Sequence, residues 1–244
     1  MVPDMPMPIT DKALLRLLTW LSPSFPVGAY AYSHGAEAAV EQGWVADFTS
    51  ATEWIGFVLE YGSGRVDAGL FVRAFRAVDA SDTAAYVDVA RWADALKGSA
   101  ELGLESRAQG QAFFDAVLGA WPDRRLEKLV TALAGADVPP SYATAVAGAA
   151  ACAGVEARAA LTAYVHGFAA NMTSAIVRLV PLGQSDGLKI IAALEPTISA
   201  LATRTLDARA TENSQSLGDI GSAAFMVDWL SMSHETQYSR LFRS

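Results

Sequence analysis

Apolar residues return at helical spacing along almost the whole chain. Leu14, Leu17, Leu18 and Leu21 stand at i, i+3, i+4 and i+7, the stripe that one face of an α-helix presents. Thr10 is placed to cap that helix and Pro23 to end it. Ser33 reads as the N-cap of a second helix that stops at Gly43, with Trp44 as the apolar contact after it. Ser50 and Glu53 have capping-box spacing and open a helix carrying Trp54, Val58 and Tyr61, closed by Gly62. Leu70, Phe71, Ala74, Phe75 and Val78 mark the next helix. Further helices are expected from Asp82 to before Gly98, from Ala100 to Leu118, and from Asp123 to Leu133.

Pro139 and Pro140 punctuate the chain. The segment Ser141 to Ala153 is almost all Ala, Gly and Val, so a neighbouring helix can approach it closely, and a buried central helix is expected. A long helix from Val155 to Val180 carries Leu161, Val165, Phe168, Met172, Ile176 and Leu179, and Pro181 ends it. Asp186 opens the following helix, which Pro196 is expected to break or kink before it continues to about Arg209. The period fails over 211–223, where Ser, Gly, Asn and Gln predict a loop. No stretch alternates with the period of a strand, and no fixed repeat or linker divides the chain. The expectation is all-α: one domain over 1–244, a bundle of about ten helices. A flexible arm occupies 1–9 and a C-terminal tail 231–244.

Composition narrows the class. Of 244 residues, 52% are hydrophobic and only 18% charged. That is apolar enough for a large core or for apolar surface kept for partners. A net charge of −8 argues against a nucleic-acid partner, which needs a basic face. Cys152 is the single cysteine, which points to a reducing, cytoplasmic setting. The apolar region from Ala143 to Leu182 is interrupted by Glu156, Arg158, His166, Asn171 and Arg178, so no membrane span is expected.

Candidate chemistry centres on Pro26 to Glu37, "PVGAYAYSHGAE", whose Ala31-Tyr32-Ser33-His34-Gly35 lies one residue from the G-x-S-x-G of a hydrolase nucleophile elbow. That elbow needs a strand before it, and here a leucine-rich helix and a Pro-rich turn precede it. Ser33 is better explained as a cap, and no catalytic residue is assigned. Of the three histidines, none pairs with another His or a Cys at i+3 or i+4, so no metal site is assigned. His166, inside an apolar helix, reads as a core or interface histidine. No phosphate-binding loop exists, so no cofactor is assigned. Arg178, in the last turn of the long helix, either balances the helix C-terminus or contacts a partner. The tail carries Tyr238, Arg240, Phe242 and Arg243, residue types typical of interface hot spots. It either orders on a partner or docks on its own domain.

Three segments, in order, resemble the UreF family of urease accessory proteins. "SPSFPVGAYAYSHGAEAAVEQGWV" is similar to that family's opening signature, where Pro-Val-Gly-Gly-Phe-Ser-Tyr-Ser-x-Gly-Leu-Glu is typical. "NMTSAIVRLVPLGQSDG", Asn171 to Gly187, resembles its long-helix end, and "MSHETQYSRLFRS" its C-terminal signature. Ala29, Ala31, Ala36 and Ser233 depart from the usual Gly, Ser, Leu and Arg. The resemblance implies a dimeric helical scaffold with no catalytic residue. It would bridge UreD (also called UreH) and the GTPase UreG while nickel is delivered to apo-urease. Nickel would pass through the complex, and GTP would bind the partner GTPase. It also implies a tail that orders on UreD. Tyr30, Tyr32, Ser33, His34 and Glu37 would then form a surface patch. Arg178 and Gln184 would face the GTPase, and His234, Glu235, Tyr238, Arg240 and Arg243 would dock on UreD. A nickel-binding chaperone acting alone, and a hydrolase using Ser33, are the alternatives.

Overall fold

The computed structural model describes residues 9–207 and 220–244, and among these it contains helices and no strand. The expected arm over 1–9 and loop over 211–223 therefore lie mostly outside the described residues, as does the stretch to Arg209.

Helix α1 (Asp11–Trp20) starts on Thr10, whose side chain accepts from the Ala13 amide. Its core face is Ala13, Leu17 and Trp20, while Leu14 and Leu18 of the expected stripe are exposed. The choice of face follows the heavier ring: Trp20 makes edge-on contacts with Phe113 and Trp121, at 6.0 and 5.9 Å between centroids. Helix α2 (Ala36–Glu41) is shorter than expected and its cap is Gly35, not Ser33. Its end matches expectation: the Gly43 and Trp44 amides reach back to the carbonyls of Val40 and Ala39, the paired bonds of a Schellman motif.

Helix α3 (Phe48–Tyr61) is opened by a capping box one turn earlier than expected. Asp47 accepts from the Ser50 amide while the Ser50 hydroxyl takes the Asp47 amide, so Ser50 is the third residue of the helix and closes the box; the cap is Asp47. Helices α4 (Ser63–Asp79), α5 (Thr83–Ala95), α6 (Ala100–Ala120) and α7 (Arg124–Gly135) follow, the last three capped by Asp82, Ser99 and Asp123.

The centre is α8 (Tyr142–Cys152), buried from Ala143 to Ala151 as its small side chains predict, and gripped by α4 and α6. α9 (Ala157–Leu179) lies against α10 (Gln184–Asp207), which in turn packs on α3. Pro196 does not break α10. It and Ala192, whose carbonyl loses its bonding partner, are both exposed, so water can serve that carbonyl. Helix α11 (Phe225–His234) closes the bundle against α2 and α6. Among the described residues no helix is long and apolar enough to cross a membrane.

The closest approach to another segment's backbone is at Gly110 of α6, where a Cβ would stand 2.7 Å from the Pro140 carbonyl oxygen. Backbone cannot yield there as a side chain can. Gly110→Ala is expected to cost about 2 kcal/mol, read as a lower urea midpoint with an unchanged slope.

Candidate functional site

The segment before α2 makes an unusual turn. His34 and Gly35 both take left-handed backbone, with φ of 58° and 78°. Glycine adopts that region freely and histidine does not, so the His34 conformation is held by its surroundings. The turn sends Ser33 and Glu37 inward, where both are buried. It leaves the His34 ring edge-on to Phe168 at 4.8 Å.

Glu37 is the hub of a buried polar cluster. Its Oε1 accepts the Leu241 amide at 2.6 Å, and its Oε2 accepts the Phe242 amide at 2.9 Å. The same Oε2 faces Nε2 of His234 at 3.0 Å. The other ring nitrogen of His234 faces Glu101 Oε2 at 2.6 Å. The opposite oxygen of Glu101 takes Arg240 at 2.5 Å. Two bonds from one imidazole to two carboxylates need a proton on each line. One proton is the neutral ring's own, and the second either makes the ring an imidazolium or neutralises one of the acids.

A second cluster adjoins the first. The Ser33 amide donates to the Ser244 main-chain oxygen at 2.9 Å, and the Ser33 hydroxyl donates to the same oxygen. The Ser33 hydroxyl also accepts from the Glu37 amide, so it retains part of a cap's work at the mouth of α2. Glu105 of α6 takes the Ser244 hydroxyl at 2.8 Å, Gln109 at 2.9 Å and Nδ1 of His34 at 3.2 Å. Ser99 and Ser231 share a hydroxyl bond of 2.7 Å, and Glu235 takes the Ala100 amide at 2.9 Å. Above them Arg178 reaches the Tyr30 carbonyl at 2.8 Å, and its guanidinium lies 4.4 Å from the Phe242 ring centre.

In this structure the tail lies on its own domain, with Phe242 and Ser244 buried. The physical reason is the row of acids beneath it, which its amides and Arg240 satisfy. The expected surface patch is also corrected. Tyr30 is exposed, but Tyr32, Ser33 and Glu37 are inside and His34 is half-buried. Of the tail residues, His234 is fully buried, Glu235 half-buried, and Tyr238, Arg240 and Arg243 exposed, with the Arg243 amide on the Ala31 carbonyl. Gln184 opens α10 and is exposed, apart from this cluster. His166 is exposed, so it is no core histidine.

Sequence reading missed Glu101, Glu105 and Gln109. They recur every four residues on α6, a polar stripe on a helix face that is otherwise apolar, and that spacing was the available signal. It also missed an exposed apolar stripe on α11, where Phe225, Met226, Trp229 and Met232 face outward, the first at 80% exposure.

Chemically the cluster binds chain to chain. Ser33 is not a nucleophile, because its hydroxyl is spent on Ser244 and Nδ1 of His34 points at Glu105. The oxygens around His234 lie on opposite sides of the ring and cannot meet at one ion. Among the described residues no three His, Cys, Asp or Glu side chains form a metal-binding group.

Removing the imidazole would leave Glu37 and Glu101 facing an empty space. His234→Ala is expected to cost about 3–5 kcal/mol, the range for breaking a buried charged pair. Gln184→Ala, on open surface, should change stability by less than about 0.5 kcal/mol. Denaturant titrations of the two variants check both values.

The comparisons agree with one another. The family model UreF matches residues 45–195. The urease accessory protein UreF of Rhodopseudomonas palustris strain HaA2 is 47% identical over 232 residues, covering 95% of this chain and 94% of the relative. That of Bradyrhizobium diazoefficiens is 43% identical over 232 residues, covering 95% and 92%. That of Granulibacter bethesdensis is 44% identical over 237 residues, covering 96% and 95%. With relatives matched almost end to end and a family model spanning more than half of it, the chain belongs to the UreF family of urease accessory proteins.

Proposed function

We propose that this chain is an accessory protein of urease maturation, not an enzyme, and that it acts by holding partners together while nickel enters apo-urease. The observation that carries the reading is the near end-to-end match to relatives named as urease accessory proteins. The partners are UreD (UreH), the GTPase UreG and apo-urease, and the working unit is a homodimer in the cytoplasm. Nickel is cargo of the complex, and GTP belongs to the partner GTPase.

The geometry supports an assembly role. Phe225, Met226, Trp229 and Met232 lie side by side on α11, and Tyr238 and Leu241 stand out from the tail beyond it. Aromatic and Met side chains with Arg240 at the rim have the composition of an interface core. This face takes UreD in our reading. Tyr238 and Arg240 contact the partner directly, while His234 and Glu235 hold the platform from beneath. Arg178 and Gln184 face UreG. Tyr30, beside Arg178, belongs to the same surface, and Arg243 lies along the tail edge. Tyr32, Ser33, His34 and Glu37 act from inside, by fixing the tail.

Trp229→Asp tests the reading without disturbing the core, because the side chain is half exposed. It is expected to weaken UreD capture about 30-fold or more, as an interface hot spot does, and to abolish urease activation in cells lacking the native gene. Arg178→Ala should reduce UreG recruitment while UreD stays bound. Full activation by both variants would refute the assignment of the two faces.

A further inference from the structure

The apolar face of α11 carries two thioethers. Met226 stands in its first turn and Met232 in its last, with Trp229 midway between them. At that spacing the three lie along one slanted row of the helix. Met226 and Met232 are 48% and 50% exposed. The other sulfurs among the described residues are less open. Met172 is 1% exposed in the core, and Cys152 is half-buried. Burial pushes the Cys152 thiol up to about 11, so very little of it is thiolate near neutral pH, and the thiolate is the form that peroxides attack. A thioether has no such requirement, because its sulfur lone pair is present at every pH.

We propose that Met226 and Met232 are oxidation sites, and that hydrogen peroxide acting on them closes the α11 face to a partner. The methionine sulfur attacks one peroxide oxygen. A sulfur–oxygen bond forms and the O–O bond breaks. The departing hydroxide takes the proton of the transferred oxygen and leaves as water. The sulfur loses two electrons and the peroxide gains them. The product, methionine sulfoxide, puts a polar oxygen where an apolar contact atom stood. Water satisfies that oxygen while the face is free, so the fold is unaffected. Under an apolar partner surface the water is stripped away, and the oxygen is left short of donors. Trp229, the largest side chain of the row, then has a wetted neighbour on each side. The change is reversible, because methionine sulfoxide reductases restore the thioether. That a partner covers α11 rests on the assembly reading above. That these two sulfurs are the ones oxidised does not.

The test treats the full chain with hydrogen peroxide and maps each methionine by peptide mass spectrometry. Met226 and Met232 are expected to oxidise about tenfold faster than Met172 or more, with the helical circular dichroism retained. An equal rate at Met172 overturns the site assignment. Capture of UreD by the oxidised chain is expected to fall about tenfold. A chain carrying Met226→Leu and Met232→Leu, given the same peroxide, is expected to capture UreD as the untreated chain does. Met1, Met5 and Met7 remain in that variant, so it separates their oxidation from that of α11. An equal loss of capture in the variant overturns the closing of the face, and so does undiminished capture by the oxidised native chain. If the untreated chain captures no UreD, the assembly reading fails. The two sites are then judged on the oxidation rates and on retention by a phenyl column, which sulfoxides at both positions are expected to weaken. Unchanged retention overturns the proposal.

Discussion

The carboxylate of Glu37 is the interaction on which this end of the molecule depends. It is buried, and a buried carboxylate is tolerated only where donors surround it. Two donors are amides of the tail and the third is His234 at the end of α11. One side chain on a six-residue helix thus fastens two other pieces of chain, the tail and the end of α11, to α2. The dependence is mutual. The tail has few apolar anchors of its own, Phe242 being the buried one, and without the acids it would have little to hold it.

This polar seam is set into a bundle whose centre is built on the opposite principle. α8 contributes almost no side-chain bulk, so α4 and α6 close on its backbone, and Gly110 lets the α6 backbone meet Pro140. Small residues and a close approach give a stiff platform with well-defined positions. The seam on α6 needs that stiffness. Glu101 and Glu105 face the tail from successive turns, Gln109 holds Glu105 from the turn after, and a carboxylate bond lengthened by an ångström would be lost.

Much of the fold was legible in the chain because periodicity and caps are local. The long helices, the buried α8 and the Schellman end of α2 follow from residues within one or two turns of each other. Where the reading slipped, the deciding partner was distant. The outer leucines of α1 fit the helical period as well as the inner face does, and only Phe113 and Trp121 select Trp20 and so turn Leu14 and Leu18 outward. Ser33 has the composition of a cap, but its main partner is Ser244, 211 positions away. The site was legible as a list of residue types and not as a geometry. His34, Glu37 and His234 were all marked, yet the acids of α6 that join them carry no signature beyond a spacing of four. Reading the opening block as surface failed for the same reason, since an acid looks exposed until its donors are known.

The two sides of the tail are unlike. Inward, it meets charged groups that accept one geometry only, which fixes register and excludes a loosely adhering chain. Outward, α11 and the tail present Phe225, Trp229, Met232 and Leu241, whose contact is less directional and supplies affinity by area. A partner that grips the outer face pulls against the inner one, because the same short segment carries both.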